Sequence, residues 1–159
     1  MSEFRVEKGK TNAILTLADG STVHGCFFVA GASATGNGPE RVKDLLTGEA
    51  GFFPFEADDQ GAGRTLLYNR LYVVMVELGG DDEPKRLPDY EVATRRSVSL
   101  LLSNGARVNG TVRVDRPHGR DRLSDFARSS ETFLYVEIPD ATLIVNVAHI
   151  IELAETTES

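Results

Sequence analysis

Cysteine is almost missing from this 159-residue chain: Cys26 stands alone, which excludes an internal disulfide framework and suits a reducing compartment. Histidine is nearly as scarce. His24, His118 and His149 fall into no His-x-x-x-His, Cys-x-x-Cys or two-His-carboxylate spacing, so neither a metal site nor a cofactor is expected. No apolar run approaches the ~20 residues that span a bilayer, and no signal peptide is read ahead of the first strand. The expected location is therefore cytoplasmic, with no membrane partner. Positive charge is also short: 17 Lys and Arg stand against 24 Asp and Glu, a net charge of −7. That balance argues against a broad nucleic-acid or acidic-membrane footprint. Catalytic patterns are thin. The Ser and Asp residues form no nucleophile elbow, and Cys26 has only His24, two residues away on the same strand face, as a candidate base. A packed structural cysteine is the better reading, and no enzyme is expected.

What the chain does have is an internal repeat. Thr65 to Leu78 (TLLYNRLYVVMVEL) returns as Thr142 to Leu153 (TLIVNVAHIIEL), with Thr, Leu and Asn coinciding when Asn69 is set on Asn146. Each is read as two apolar strands joined by a tight turn, at Asn69-Arg70 in the first copy. Leu17-Ala18-Asp19-Gly20 matches Leu102-Ser103-Asn104-Gly105, and Phe52-Phe53-Pro54-Phe55-Glu56 matches Phe133-Leu134-Tyr135-Val136-Glu137. The offset between copies shortens twice along the chain, each time between elements, where insertions are tolerated.

Strand periodicity fixes which residues face inward. Ala13 to Leu17 alternates, Asp19-Gly20 predicts a type I′ hairpin turn, and Thr22 to Val29 returns. The inward face is Val23, Gly25, Phe27 and Val29, matched in the second copy by Val108, Gly110, Val112 and Val114. Ala13, Leu15 and Leu17 are matched by Val98, Leu100 and Leu102. The mid-strand glycines Gly25 and Gly110 predict a strand bent over a small core. Between copies of this pattern lie loops. Gly31 to Pro39 has the glycine spacing of a phosphate-binding loop, but Asn37 and Gly38 replace its lysine and its hydroxyl residue, so a mobile insertion is the better reading. A short helix is expected over Glu40 to Leu46, closed by Gly48. Asp58-Asp59 and Asp81-Asp82-Glu83 lack the ligand spacing of a calcium loop and read as solvated turns.

Taken together, these residues resemble the Sm-like family. The resemblance rests on a strand, an Asp-Gly or Asn-Gly turn, a long strand with a central glycine, a third strand, and two strands with an Asn at their turn. Arg122-Leu123-Ser124-Asp125-Phe126 ahead of Phe133-Leu134 is similar to a phrase of bacterial Sm-like domains. The resemblance implies a mostly β chain of two tandem, strongly bent, five-stranded antiparallel barrels with short helices between strands. Its units would be repeat 1 at residues 1–78, a linker at 79–89, repeat 2 at 90–153 and a polar tail at 154–159. The function it implies is a non-catalytic protein-binding or scaffold module, and the alternative is an RNA-binding Sm-type protein. The family's final turn carries a cation followed by glycine. Here Asn69-Arg70-Leu71 and Asn146-Val147-Ala148 stand in its place, so Asn69, Arg70 and Asn146 are the candidate Sm-type turn site.

One local charge feature offers a second site. Arg113, Arg116, Arg120 and Arg122 cluster with His118 after the bent strand of the second copy, interspersed with Asp115 and Asp121. Arginine forks suit phosphate or carboxylate, so a small anion, RNA or an acidic partner could be held there. Local Arg–Asp pairing in a solvated loop is the favoured reading, since no aromatic residue interleaves the arginines to stack a base. The expected partner is a protein. The two copies are expected to pack together by edge pairing of their bent sheets or by their apolar sheet faces, with Tyr72–Val76 and His149–Leu153 as the edge material, and a homo-oligomer would repeat that contact.

Overall fold

Backbone pairing, rather than helix, organises nearly all of the chain that the structure describes. The computed structural model describes residues 8–30, 41–48, 51–58, 64–79, 94–114 and 131–156. The elements in order are β1 (Lys8–Leu17), β2 (Thr22–Ala30), α1 (Val42–Leu46), β3 (Phe52–Ala57), β4 (Arg64–Asn69) and β5 (Val73–Gly79). The second half supplies β6 (Thr94–Leu102), β7 (Arg107–Val114), β8 (Phe133–Ile138), β9 (Ala141–Asn146) and β10 (Ile150–Glu155). A 3-10 turn at Arg70–Tyr72 separates β4 from β5, and another at Val147–His149 separates β9 from β10. The Gly31–Pro39 loop, the linker after Gly79, and Arg116, Arg120 and Arg122 lie outside the described residues.

All ten strands form one antiparallel sheet in the order β10-β6-β7-β8-β9-β5-β1-β2-β3-β4. The order within the first half, β5-β1-β2-β3-β4, is the order within the second, β10-β6-β7-β8-β9. Two tandem five-stranded barrels were the expectation, and the ten strands instead form one continuous sheet that is not closed. The reason is β5: it pairs with β1 on one side and with β9 of the other half on its other side. The expected pairing of β4 with β5 across a tight turn is corrected too. The intervening 3-10 turn redirects the chain, so that β4 pairs with β3 while β5 lies beside β1.

The hairpin turns also differ in detail from a two-residue type I′ turn. Gly20 N–H donates to Leu17 O at 3.0 Å and Leu17 N–H donates to Ser21 O at 2.9 Å, with Gly20 at φ 91°. Gly105 repeats this with φ 87°, its N–H donating to Leu102 O at 2.9 Å. A single left-handed residue suffices because the preceding side chain closes the turn. Asp19 Oδ1 accepts from Ser21 N–H at 2.9 Å and from its hydroxyl at 2.6 Å, and Asn104 Oδ1 accepts from Ala106 N–H at 3.0 Å. The Ser21 hydroxyl and amide hold the Asp19 carboxyl below its usual pKa.

Two apolar cores lie against the sheet. Leu15, Phe27, Phe53 and Phe55 fill the first with Val42 and Leu46 of α1, and Phe27 lies edge-on to Phe55 at 5.0 Å. Val98, Leu100, Leu102, Val112 and Val136 fill the second. Neither core belongs to one half alone. Phe133 and Ile144 of the second half sit in the first core, and Val74 of the first half sits in the second. Consequently β9 is buried on both faces, Ile144 entering one core and Leu143 and Val145 the other, and these three consecutive positions are all apolar.

The mid-strand glycines have a steric cause. A Cβ on Gly25 would collide with the Glu56 backbone oxygen and stand 2.7 Å from the Phe55 ring. One on Gly110 would stand 2.6 Å from Val136 Cγ1 and 2.8 Å from Glu137 O. The third strand of each half therefore crosses directly over these positions.

Candidate interaction site at the junction and the sheet edges

The two turn asparagines do the same local work. Asn69 Oδ1 accepts from Leu71 N–H and Asn146 Oδ1 from Ala148 N–H, each at 3.0 Å, which caps each 3-10 turn at its first exposed donor. Their amide nitrogens differ. Asn146 Nδ2 donates to Val73 O at 2.9 Å and Arg70 O at 3.3 Å, tying the second half to the first, and Asn146 is buried. Asn69 is half-buried, and its Nδ2 has no partner among the described residues.

Arg70 points elsewhere. Its guanidinium donates to Gly48 O and Leu45 O, each at 2.8 Å, closing the carbonyl end of α1 where a cation is favoured. Burial lowers its pKa from the ordinary guanidinium value, and its Nε is buried without a partner among the described residues. The structure thus brings Arg70 and Asn146 together through the Arg70 backbone, while the Arg70 side chain is occupied at the helix end.

Around Asn146 the halves are joined by a compact set of contacts. Strands β5 and β9 pair from Met75↔Val145 to Gly79↔Ala141. His149 Nε2 lies 2.7 Å from Leu71 O and its Nδ1 lies 2.7 Å from Ser103 Oγ. A carbonyl only accepts, so Nε2 carries the proton, and sequence reading gave His149 no such role. Lys43 Nζ pairs with Glu131 Oε2 at 2.7 Å and sits 4.9 Å from the Tyr135 ring centroid. Neither of these cross-half pairs was legible in the sequence, because each joins residues that only the β5–β9 pairing brings together.

At the two ends of the sheet lie unpaired edges. Among the described residues β4 pairs only with β3 and β10 only with β6. Large apolar side chains are exposed on the strands at these ends, Phe52 of β3, Leu67 of β4 and Ile151 of β10, and on the two 3-10 turns, Leu71, Tyr72 and Val147. Sequence reading placed edge material in Tyr72–Val76 and His149–Leu153. Strand β5 within the first segment meets the other half through β9, and β10 within the second is at a free edge.

The remaining candidates are occupied or enclosed. Arg113 Nε pairs with Glu137 Oε2 at 2.9 Å on the neighbouring strand. Cys26 is buried, and burial raises the pKa of its thiol, with Glu56 adding to the effect. It lines a groove of about 780 Å³ with His24, Lys10, Glu56, Asp58 and Glu77, where Lys10 pairs with Glu56 at 3.3 Å. A thiol held neutral beside carboxylates is a poor nucleophile. No group of three or more metal-ligating side chains occurs among the described residues, and none of the described helices is long and apolar enough to cross a membrane.

Comparison of the chain with protein-family models, with curated proteins and with solved structures finds no match.

Proposed function

We propose that this chain is a non-catalytic protein-binding or scaffold module built from two Sm-like repeats, each a five-stranded unit of the order β5-β1-β2-β3-β4. The observation that carries the reading is the contrast between turns and edges. The turn residues that would hold RNA are engaged inside the chain, Arg70 at the end of α1 and Asn146 across the junction. The sheet edges, by contrast, leave backbone groups and large apolar side chains open to a partner. Strand addition to such an edge draws affinity from main-chain hydrogen bonds and specificity from alternate side chains.

The test is binding of short single-stranded RNA, followed by fluorescence anisotropy at physiological salt. No binding is expected, and the protein companions of the purified chain are expected to survive nuclease treatment. Micromolar or tighter RNA binding that weakens steeply with salt and disappears in Arg70→Ala would replace this reading with the RNA-binding one.

A further inference from the structure

The groove on the first half is built from side chains that the fold does not require. Successive side chains alternate between the faces of a strand, so the strand registers set them in rows across the sheet. Ile14 pairs with Glu77 on one side and with His24 on the other. The row continues to Asp58, whose N–H donates to His24 O at 2.8 Å. It therefore runs Glu77, Ile14, His24, Asp58 across β5, β1, β2 and β3. The neighbouring row on the same face holds Asn12, Cys26 and Glu56. Together these side chains line the groove of about 780 Å³. Glu56 is neutralised by Lys10, whereas Asp58 and Glu77 have no ion-pair partner among the described residues. These two carboxylates end their row, about 14 Å apart at three strand spacings. Cys26 is 8% exposed and lines the groove between them, and its thiol has no hydrogen-bond partner among the described residues. The second half is an internal control. It builds the same strand order with Asn109, Thr111, Pro139 and Ala154 where the first half has His24, Cys26, Asp58 and Glu77. The ion pair has a counterpart there, Arg113 with Glu137, but the two free carboxylates and the thiol have none, so the strand order does not demand them.

We propose that this groove binds a linear polyamine, with its terminal ammonium groups at Asp58 and Glu77 and its methylenes over Ile14 and Cys26. The two carboxylates stand too far apart to share one small cation, so a ligand that satisfies both carries its charges at separate ends. Each end then makes a charge-assisted hydrogen bond of the kind that holds an ammonium group to a carboxylate. Between the ends the groove offers half-buried Ile14 and the neutral thiol of Cys26, which behaves as a small hydrophobe and suits an alkyl spacer. Binding is non-covalent and leaves the thiol unchanged. The site is separate from the sheet edges on which the protein-binding reading rests, so either can fail without the other.

The experiment is calorimetric titration of the full chain with spermidine at physiological salt, with the shorter putrescine and with magnesium as comparators. One spermidine is expected per chain, with putrescine and magnesium each at least tenfold weaker. Asp58→Asn and Glu77→Gln are each expected to weaken spermidine at least tenfold. Asp140→Asn removes the same charge from an exposed position outside the groove and is expected to change binding less than twofold. Amide shifts followed by NMR during the titration locate the ligand. They are expected to be largest at Ile14, His24 and Cys26 and small at the equivalent Ser99, Asn109 and Thr111. Absence of spermidine binding overturns the inference. So does equal weakening by Asp140→Asn, or magnesium binding as tight as spermidine, since attraction to the net charge of the chain then suffices. Putrescine binding as tight as spermidine, or shifts spread equally over both halves, also overturns it, because the ligand then does not span this groove.

Discussion

At the scale of single residues, the same side chain does different work according to whether the other half reaches it. Asn69 and Asn146 each cap a 3-10 turn, but only Asn146 also satisfies two carbonyls across the junction. Replacing Asn146 by Ala removes the cap and leaves the buried Val73 carbonyl short of a donor, an expected loss of about 2–3 kcal/mol. Replacing Asn69 by Ala removes the cap alone, an expected loss of about 1 kcal/mol. Both are measured by urea unfolding of the full chain. Equal losses would show that the Asn146 bridge adds nothing beyond its cap. The sequence alignment paired these two residues correctly, but it held no signal for their difference. That difference depends on which strand lies beside β9, and strand neighbours in a sheet are set by long-range pairing.

At the scale of elements, the second strand of each half is shaped by the third strand lying across it. Gly25 leaves room for the Glu56 backbone and the Phe55 ring, so Gly25→Ala forces backbone or core to move and is expected to cost about 1–3 kcal/mol. Gly9, in β1, has nothing within 4 Å of an added Cβ, so Gly9→Ala is expected to leave stability within about 0.5 kcal/mol. Chemical denaturation of the two variants checks this, and a neutral Gly25→Ala would contradict the close crossing. Much of this level was legible in the sequence. Period-two alternation picked out Leu15, Phe27, Leu100 and Val112, all buried, because each strand shows one face to a core. The α1 segment and its Gly48 end were legible from composition. The β4-to-β5 connection was misread as a hairpin because two apolar runs around an Asn look alike whether the strands pair or part. The Asp19-Gly20 turn was misread for a local reason: the Asp19 side chain accepts from Ser21, so only Gly20 takes positive φ.

At the scale of the whole molecule, the halves share one sheet and exchange core side chains, so they are expected to behave as one body. Neither core is complete without the other half, since Phe133 and Ile144 complete the first and Val74 the second. This arrangement was only partly legible. The repeat pointed to contact between copies, by edge pairing or by apolar faces, while the continuous sheet follows from β5 having two partners, which no local pattern records. The most direct test is hydrogen exchange, read by segment, on the full chain. Strands β5 and β9 are predicted to exchange as slowly as β1 and β2, while β4 and β10 exchange faster. Rapid exchange in β5 and β9, at the rate of β4 and β10, would mean that the halves are not joined through this pairing and would contradict the account.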